Sequence, residues 1–412
     1  MLPRANSSFR LLQIAPRLPW PLDTGAKLRN FHLGRVLSDK AAVTLLAFES
    51  EQTRAHEFAE VYENVVSVPR DGHNSFSKLV RGAIGPTPLP LLNYTTPELA
   101  SHLRKLLTAQ KFDLVQFESI HLLAYLPLIR DAVHSPLAVL DWHNIESDLL
   151  KQYSKRESNP LKKLYARRTA KLMRKAEQRA AREFDAHIVV SEADAKRLRQ
   201  LNPDGRVFVV ENGVDVAEFA ELAHASQKDV VKKRVVFVAS MDYHANIDAA
   251  LSFARNVWPR VHELQSNLVF TIVGREPTRE VRDLAAITGI EVTGTVDDVR
   301  PFYREAFAAI APLRVGGGSR LKILEAMAAG VPVVATTLGA EGLEVQHGEN
   351  ILIADSTEAM RDAIVSMAQD SDRRAGLIAR GLTLVESRYD WSQLGAKLFD
   401  SYQALVSESR SS

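Results

Sequence analysis

The chain of 412 residues is 46% apolar, 25% charged and 7% aromatic, an ordinary folded composition that excludes whole-chain disorder, collagen, coiled coil and an integral membrane protein. Its 52 Lys and Arg against 50 Asp and Glu leave a formal net charge of +2, so no chain-wide field recruits nucleic acid and any basic surface must be local. With no cysteine, thiolate nucleophiles, disulfides, Cys-ligated zinc and iron–sulfur clusters are excluded.

The N-terminal residues 1–19 hold only a short apolar run at 11–16, too brief for a signal sequence. Nothing in the chain approaches the roughly 18-residue apolar stretch of a spanning helix, so a cytoplasmic protein is expected. Short β-branched or apolar runs then alternate with helix-length segments, the pattern of parallel strands covered by helices. The first series lies at 10–15, 42–48, 65–69, 114–117, 137–142, 187–190 and 207–210 and defines one α/β domain, residues 1–215. Glu118 and His121 follow the 114–117 run, and Asp141 to Glu146 ends the 137–142 run. Open α/β sheets place ligand-contacting groups at such strand ends. His143 is therefore a candidate site residue against a structural histidine, and Glu118 and His121 are candidates to line a cleft against a capping role.

From Lys151 to Arg182 the chain carries twelve Lys or Arg against Glu157 and Glu177. Leu161, Leu164, Tyr165, Leu172, Met173, Ala176, Ala180 and Phe184 fall on a helical stripe. Two readings stay open: a helix whose basic face meets anionic lipid headgroups, and a core-covering helix whose polar face happens to be basic.

The stretch 211–233 contains the turn-forming Asn212-Gly213 and then loses any period, which places a hinge there. A second α/β series follows at 235–239, 268–273, 290–293, 308–312, 332–336 and 351–354, within residues 216–388. After its fourth strand, Gly316, Gly317 and Gly318 allow close backbone approach to a ligand, and the helix start beyond them favours an anion such as phosphate. Arg320 and Lys322 add full charges where the helix dipole alone would prefer acids, and such rule-breaking points to function. Glu325, three residues after Lys322, is placed to accept hydrogen bonds from a ribose diol. The bland alternative is a glycine turn with solvated charges. No Walker A, GxGxxG, HExxH or GxSxG pattern is present. Asp370-Ser371-Asp372 spells a DxD sequence beside Arg373 and Arg374, which argues against a metal there. In the tail, 389–412, Trp391, Leu394, Leu398, Tyr402 and Leu405 share one helix face, which periodicity alone assigns equally to either domain.

Taken together, these segments resemble a GT-B glycosyltransferase of family 4. The likeness spans nearly the whole chain: residues 15–29, Val189-Val190-Ser191, Glu211-Asn212-Gly213-Val214-Asp215, Phe237 to Met241, Ile272-Val273-Gly274-Arg275, Thr293-Gly294 and the glycine turn recur in the family's order and spacing. The resemblance implies two facing Rossmann-like domains with parallel sheets, a terminal helix crossing back to the N-terminal domain, a nucleotide-sugar donor held mainly by the second domain and an acceptor by the first. It implies transfer with retention of configuration, without a metal or other cofactor. Lys322, Arg320 and His143 are then the catalytic candidates. Gly25, Lys27, Gly316, Gly317, Gly318, Ser319 and Arg275 are candidates for the donor phosphates or sugar, Glu325 for the ribose, and Glu118 and His121 for the acceptor side. The family's E-x7-E pattern is met only at its second Glu, because Gly317 stands eight positions before Glu325. The family's Arg near Ser240 and Met241 is also missing, so Arg320 or Arg275 would have to replace it. The expected function is transfer of a sugar from a nucleoside-diphosphate sugar to a glycan or lipid-linked acceptor of polysaccharide biosynthesis, with peripheral membrane contact through residues 151–182 and no nucleic acid partner. A nucleotide-sugar 2-epimerase and a non-catalytic nucleotide-sugar-binding protein remain as alternatives.

Overall fold

The structure, a computed structural model, describes residues 9–22, 24–49, 58, 61–70, 75–225, 234–315 and 320–411. It divides into two compact units, Met1–Glu211 with Leu394–Ser412, and Asn212–Gln393. The first unit holds seven strands, β1 (Arg10–Ala15), β2 (Ala42–Phe48), β3 (Asn64–Val68), β4 (Leu114–Phe117), β5 (Leu137–Trp142), β6 (Ala186–Val189) and β7 (Val207–Val209). Their order is β3-β2-β1-β4-β5-β6-β7 and every pairing is parallel. The second holds β8 (Arg234–Val238), β9 (Val269–Val273), β10 (Ile290–Gly294), β11 (Ala306–Ala311), β12 (Val333–Ala335) and β13 (Leu352–Ile353), ordered β10-β9-β8-β11-β12-β13, again all parallel. Both are doubly wound α/β units, each with one reversal of strand order, between β1 and β4 and between β8 and β11. All thirteen strands fall where the sequence places them, with ends displaced by one or two residues.

Helices cover both faces of each sheet, so strand residues are buried whichever way they point. In the second unit the two-residue period divides them: Val235, Phe237, Ala308 and Ile310 enter one apolar cluster and Val236, Ala309 and Ala311 another, which Ala306 also joins because the register shifts between it and Ala308. In the first unit β4 is wholly buried, Gln116 included. The helix Trp391–Ser411 buries Trp391, Leu394, Leu398, Tyr402 and Leu405, and from Leu394 onward it belongs to the first unit. There the Tyr402 hydroxyl donates to Gln116 Oε1 at 2.7 Å. A Cβ at Gly395 would stand 2.6 Å from Val36, so glycine permits the close approach of this helix to the helix Gly25–Ser38.

The basic segment departs from a single helix. It forms Glu146–Arg156 and Pro160–Glu183, separated where Asn159 Oδ1 accepts the N–H groups of Leu161 and Lys162 and proline takes the first helical position. The buried face of the second helix runs through Ala166, Ala170, Met173, Ala180 and Ala181, whereas Leu161, Leu164 and Tyr165 stand exposed. The expected stripe thus holds only in the later turns, because nothing among the described residues covers the first two.

One buried histidine makes the first unit acid-sensitive. His187 on β6 accepts the Trp142 indole N–H at 3.2 Å through Nδ1, with Nε2 3.2 Å from the Ala181 carbonyl, an arrangement that needs neutral imidazole. Burial pushes its pKa down to about 4. The unfolded chain, near 6.5, therefore binds the extra proton first, and stability is lost as pH falls from about 6.5 toward 4. Acidification from about pH 7 to about pH 5 should cost this unit roughly 2 kcal/mol through His187, read as a lower thermal midpoint by tryptophan fluorescence. An unchanged midpoint would contradict this account.

Candidate active site

Each unit gathers its polar groups beside its own strand-order reversal. In the first, Glu118 directly follows β4 and is 1% exposed. Its Oε1 accepts the side-chain amides of Gln13 on β1 and Gln116 on β4, the latter at 2.6 Å, and its Oε2 lies 3.3 Å from His143 Nε2. Burial raises the Glu118 carboxyl above its ordinary range, the His143 hydrogen bond opposes this, and the Asp141 charge adds to it. His143, just beyond β5, is the partly exposed member of this pair, with 16% of its side chain exposed. His121 bonds Ser119 Oγ through Nδ1 at 2.7 Å and packs against Tyr94. Burial lowers its pKa to about 4, with His143 and Arg17 acting in the same direction, so it is neutral at neutral pH.

Asp141, the penultimate residue of β5, is fully buried and its Oδ2 accepts Arg29 Nε at 2.9 Å. Arg29 is 1% exposed and also donates to the Glu211 carbonyl at 3.0 Å. It rises from the helix Gly25–Ser38, whose first turn holds Gly25 and Lys27 and is capped by Thr24 Oγ1, 3.4 Å from the Lys27 N–H. This helix start follows β1, so Gly25 and Lys27 share the strand-end edge with Glu118 and His143. Ligand atoms of Glu118, Asp141 and His143 lie within 4.8 Å of one another and could in principle meet a cation. Arg29 already neutralises Asp141, however, which weakens that reading.

In the second unit Gly316, Gly317, Gly318 and Ser319 lie outside the described residues. Lys322 and Glu325 occupy one face of the helix Leu321–Ala328. Lys322 Nζ donates to Asn246 Oδ1 at 2.9 Å and sits 4.9 Å from the centre of the Phe237 ring. Burial first, and the Arg320 charge second, lower its pKa to about 7. Asn246, in the first turn of the helix His244–Asn256, is fixed in turn by its own amide on the Ser240 carbonyl at 2.9 Å. The Glu325 carboxyl is raised by burial and lies 3.3 Å from the Tyr303 hydroxyl.

The remaining cations are engaged. Arg320 is 7% exposed, with Nε 3.2 Å from the Glu341 carbonyl and Nη2 3.3 Å from its carboxylate. Arg275, after β9, donates to Ser240 Oγ at 2.8 Å beside Asp242, at the loop where the family's missing arginine would stand. Asp370 uses its carboxylate to cap the helix Ser371–Leu384 through the Arg373 N–H at 2.9 Å. Sequence reasoning assigned no role to Arg29, Asn246 or Tyr303. Arg29 and Tyr303 are partners at a distance in sequence, and Asn246 had no local signal beyond being an asparagine in a helix's first turn.

Comparison with known proteins places this geometry in context. Residues 25–218 match the family model described as Glycosyltransferase Family 4, and residues 232–370 that described as Glycosyl transferases group 1. The phosphatidyl-myo-inositol mannosyltransferase of Mycolicibacterium smegmatis is 30% identical over 223 residues, covering 52% of this chain and 57% of the relative. The chain thus spans a little over half the length of this relative and of the Mycobacterium leprae phosphatidyl-myo-inositol mannosyltransferase. Among solved structures, sucrose-phosphate synthase from Thermosynechococcus elongatus superimposes with a TM-score of 0.69 at 14% identity, over 97% of this chain and 100% of that one. Anabaena HepE in complex with UDP and glucose gives 0.64 at 15% identity, over 95% and 99%. At those identities the structural likeness establishes the fold alone.

The buried Arg29–Asp141 pair generates a prediction. Arg29→Met strands a buried carboxylate and should cost about 3–5 kcal/mol, whereas Arg29→Met with Asp141→Leu should recover most of it. Urea unfolding of the two variants checks this, and equal losses would mean that the pair is not coupled.

Proposed function

Because the chain belongs to the family 4, group 1 glycosyltransferases of GT-B fold, we propose that it moves a sugar from a nucleoside-diphosphate sugar to a glycan or lipid-linked acceptor, with retention of configuration and without a divalent metal. The observation that carries this reading is Lys322. It is a desolvated ammonium with Asn246 as its hydrogen-bonding partner, at a helix start that follows the Gly316-Gly317-Gly318 sequence. Bond cleavage sends the electron pair of the anomeric C–O bond to the leaving diphosphate. A prepositioned cation stabilises that charge as it develops. The acceptor hydroxyl oxygen then bonds the anomeric carbon and gives its proton to the leaving diphosphate, so no covalent nucleophile is required.

In this scheme Lys322 meets the diphosphate directly. Arg320, tied to Glu341, contributes its charge from behind. Arg275 stands in for the family's absent arginine, and the backbone of Gly316, Gly317 and Gly318, with the Ser319 hydroxyl, cradles phosphate and sugar. Glu325, braced by Tyr303, takes the ribose hydroxyls. On the acceptor side His143, backed by Glu118, orients a sugar hydroxyl, Glu118 and His121 shape the cleft, and Gly25 with Lys27 supports the phosphates. The reaction belongs to polysaccharide biosynthesis at the cytoplasmic face of a membrane, reached through the basic segment.

A panel of UDP-, GDP-, ADP- and TDP-sugars in the presence of chelator tests the donor and the metal-free chemistry, and NMR of the product anomer tests retention. Inversion, or activity restored only by a divalent ion, would contradict the mechanism. Lys322→Ala should lower kcat by about a hundred- to a thousandfold with an unchanged melting profile. Because the ammonium is the active form and its pKa is about 7, kcat/KM for the donor should fall as pH rises through neutrality, and this limb should vanish in Lys322→Ala.

A further inference from the structure

Two features of the first unit take no part in the donor chemistry, and they adjoin each other. One is a groove of about 540 Å³ between the helices Glu146–Arg156, Pro160–Glu183 and Glu192–Leu201. Lys151, Arg167, Lys171, Arg174 and Arg197 line it against a single carboxylate, Asp148. Arg197 is held by Asp194 at 2.9 Å and lies 3.8 Å from Asp148, and among the described residues no carboxylate pairs with Lys151, Arg167 or Lys171. Groove walls of one sign concentrate the opposite charge, and a space of this size suits a phosphate- or diphosphate-sized headgroup. Two of the helices that form it, Glu146–Arg156 and Glu192–Leu201, begin at the C-terminal edge of β5 and β6, and Ser147 in the groove wall is four residues beyond His143.

The other feature is apolar. Leu161 and Leu164, in the first turns of Pro160–Glu183, are 77% and 67% exposed. Four residues beyond Leu164, on the same helix face, Arg168 donates to the carbonyls of Gly82 and Gly85. Those carbonyls lie at the end of the helix Phe76–Ile84, so Arg168 brings that helix end, where Ile84 is 79% exposed and Leu79 and Val80 are also exposed, beside the helix that carries the two leucines. Lys78, Arg81, Lys162 and Lys163 are neighbours of these apolar residues in sequence, and neither residues 75–86 nor 159–176 contain an acidic residue. Large exposed apolar side chains set among unopposed cations are the signature of a surface that enters the headgroup layer of an anionic bilayer.

We propose that this groove and its apolar flank form one site for a phosphate-bearing lipid: the headgroup phosphate sits among Arg167, Lys171 and their neighbours, and Ile84, Leu161 and Leu164 rest in the bilayer. The site deepens the proposed lipid-linked acceptor by naming what holds it. It stands or falls without donor or turnover, so its failure is distinguishable from failure of the transferase reading.

Flotation of the full chain with phosphatidylcholine vesicles, with and without phosphatidylglycerol, tests the lipid, and calorimetry with inorganic pyrophosphate, carried out in a Lys322→Met background that removes the proposed donor-diphosphate contact, tests the groove. The wild type should float with the anionic vesicles alone. A triple variant Ile84→Ser, Leu161→Ser, Leu164→Ser should lose about tenfold in vesicle partition while keeping pyrophosphate binding. Arg167→Glu with Lys171→Glu should lose both, whereas Lys322→Met, which alters only the proposed donor site, should keep vesicle binding. The groove and flank substitutions lie on exposed positions, and circular dichroism melts of every variant confirm the fold. Pyrophosphate binding without flotation would make the ligand a free phosphate and overturn the lipid assignment. Flotation unchanged in the Arg167, Lys171 variant would overturn the groove. A concentration-dependent dimer abolished by the triple variant would assign the patch to a second copy of the chain and also overturn the proposal.

Discussion

A parallel sheet covered by helices on both faces admits charge cheaply only at its ends, and both units of this protein are built under that constraint. Strand interiors are nearly all apolar, so the candidate site groups gather after the last residues of β1, β4 and β5 in one unit and of β8, β9 and β11 in the other. Where polar side chains do enter the strands of the first unit, each is tied: Gln13 and Gln116 to Glu118, Asp141 to Arg29, His187 between Trp142 and Ala181. Burial without such partners would cost more than the fold could bear. The tail helix joins this network through Tyr402, so a helix distant in sequence helps to fix the carboxamide that holds Glu118.

That constraint also explains what the sequence could and could not reveal. The thirteen strands were legible because doubly covered strands are continuous apolar runs, which survive without knowledge of their neighbours. Lys322, Glu325 and His143 were legible because they break local rules or end a strand. Asn246 and Tyr303 were not, since their importance lies in meeting Lys322 and Glu325 across 76 and 22 residues of chain. Periodicity likewise failed for Leu161 and Leu164. They carry the right spacing for burial, and only the extent of the neighbouring helices leaves them bare.

The same physics gives the second unit its electrostatic poise. An ammonium beside Phe237, one hydrogen bond from Asn246 and near the Arg320 charge, is held close to losing its proton. Desolvated in this way, it is a destabilised cation. Against the proposed diphosphate it would become a strong partner, because opposite charge restores the protonated form.

Proton linkage measures that poise directly. Calorimetry of UDP and GDP binding in buffers of different ionisation enthalpy, near pH 7, should reveal uptake of about half a proton per nucleotide bound, since a lysine with a pKa of about 7 is half protonated beforehand. The uptake should disappear in Lys322→Met. Binding with no proton uptake, or with the same uptake in that variant, would contradict the assignment of Lys322 to the donor diphosphate.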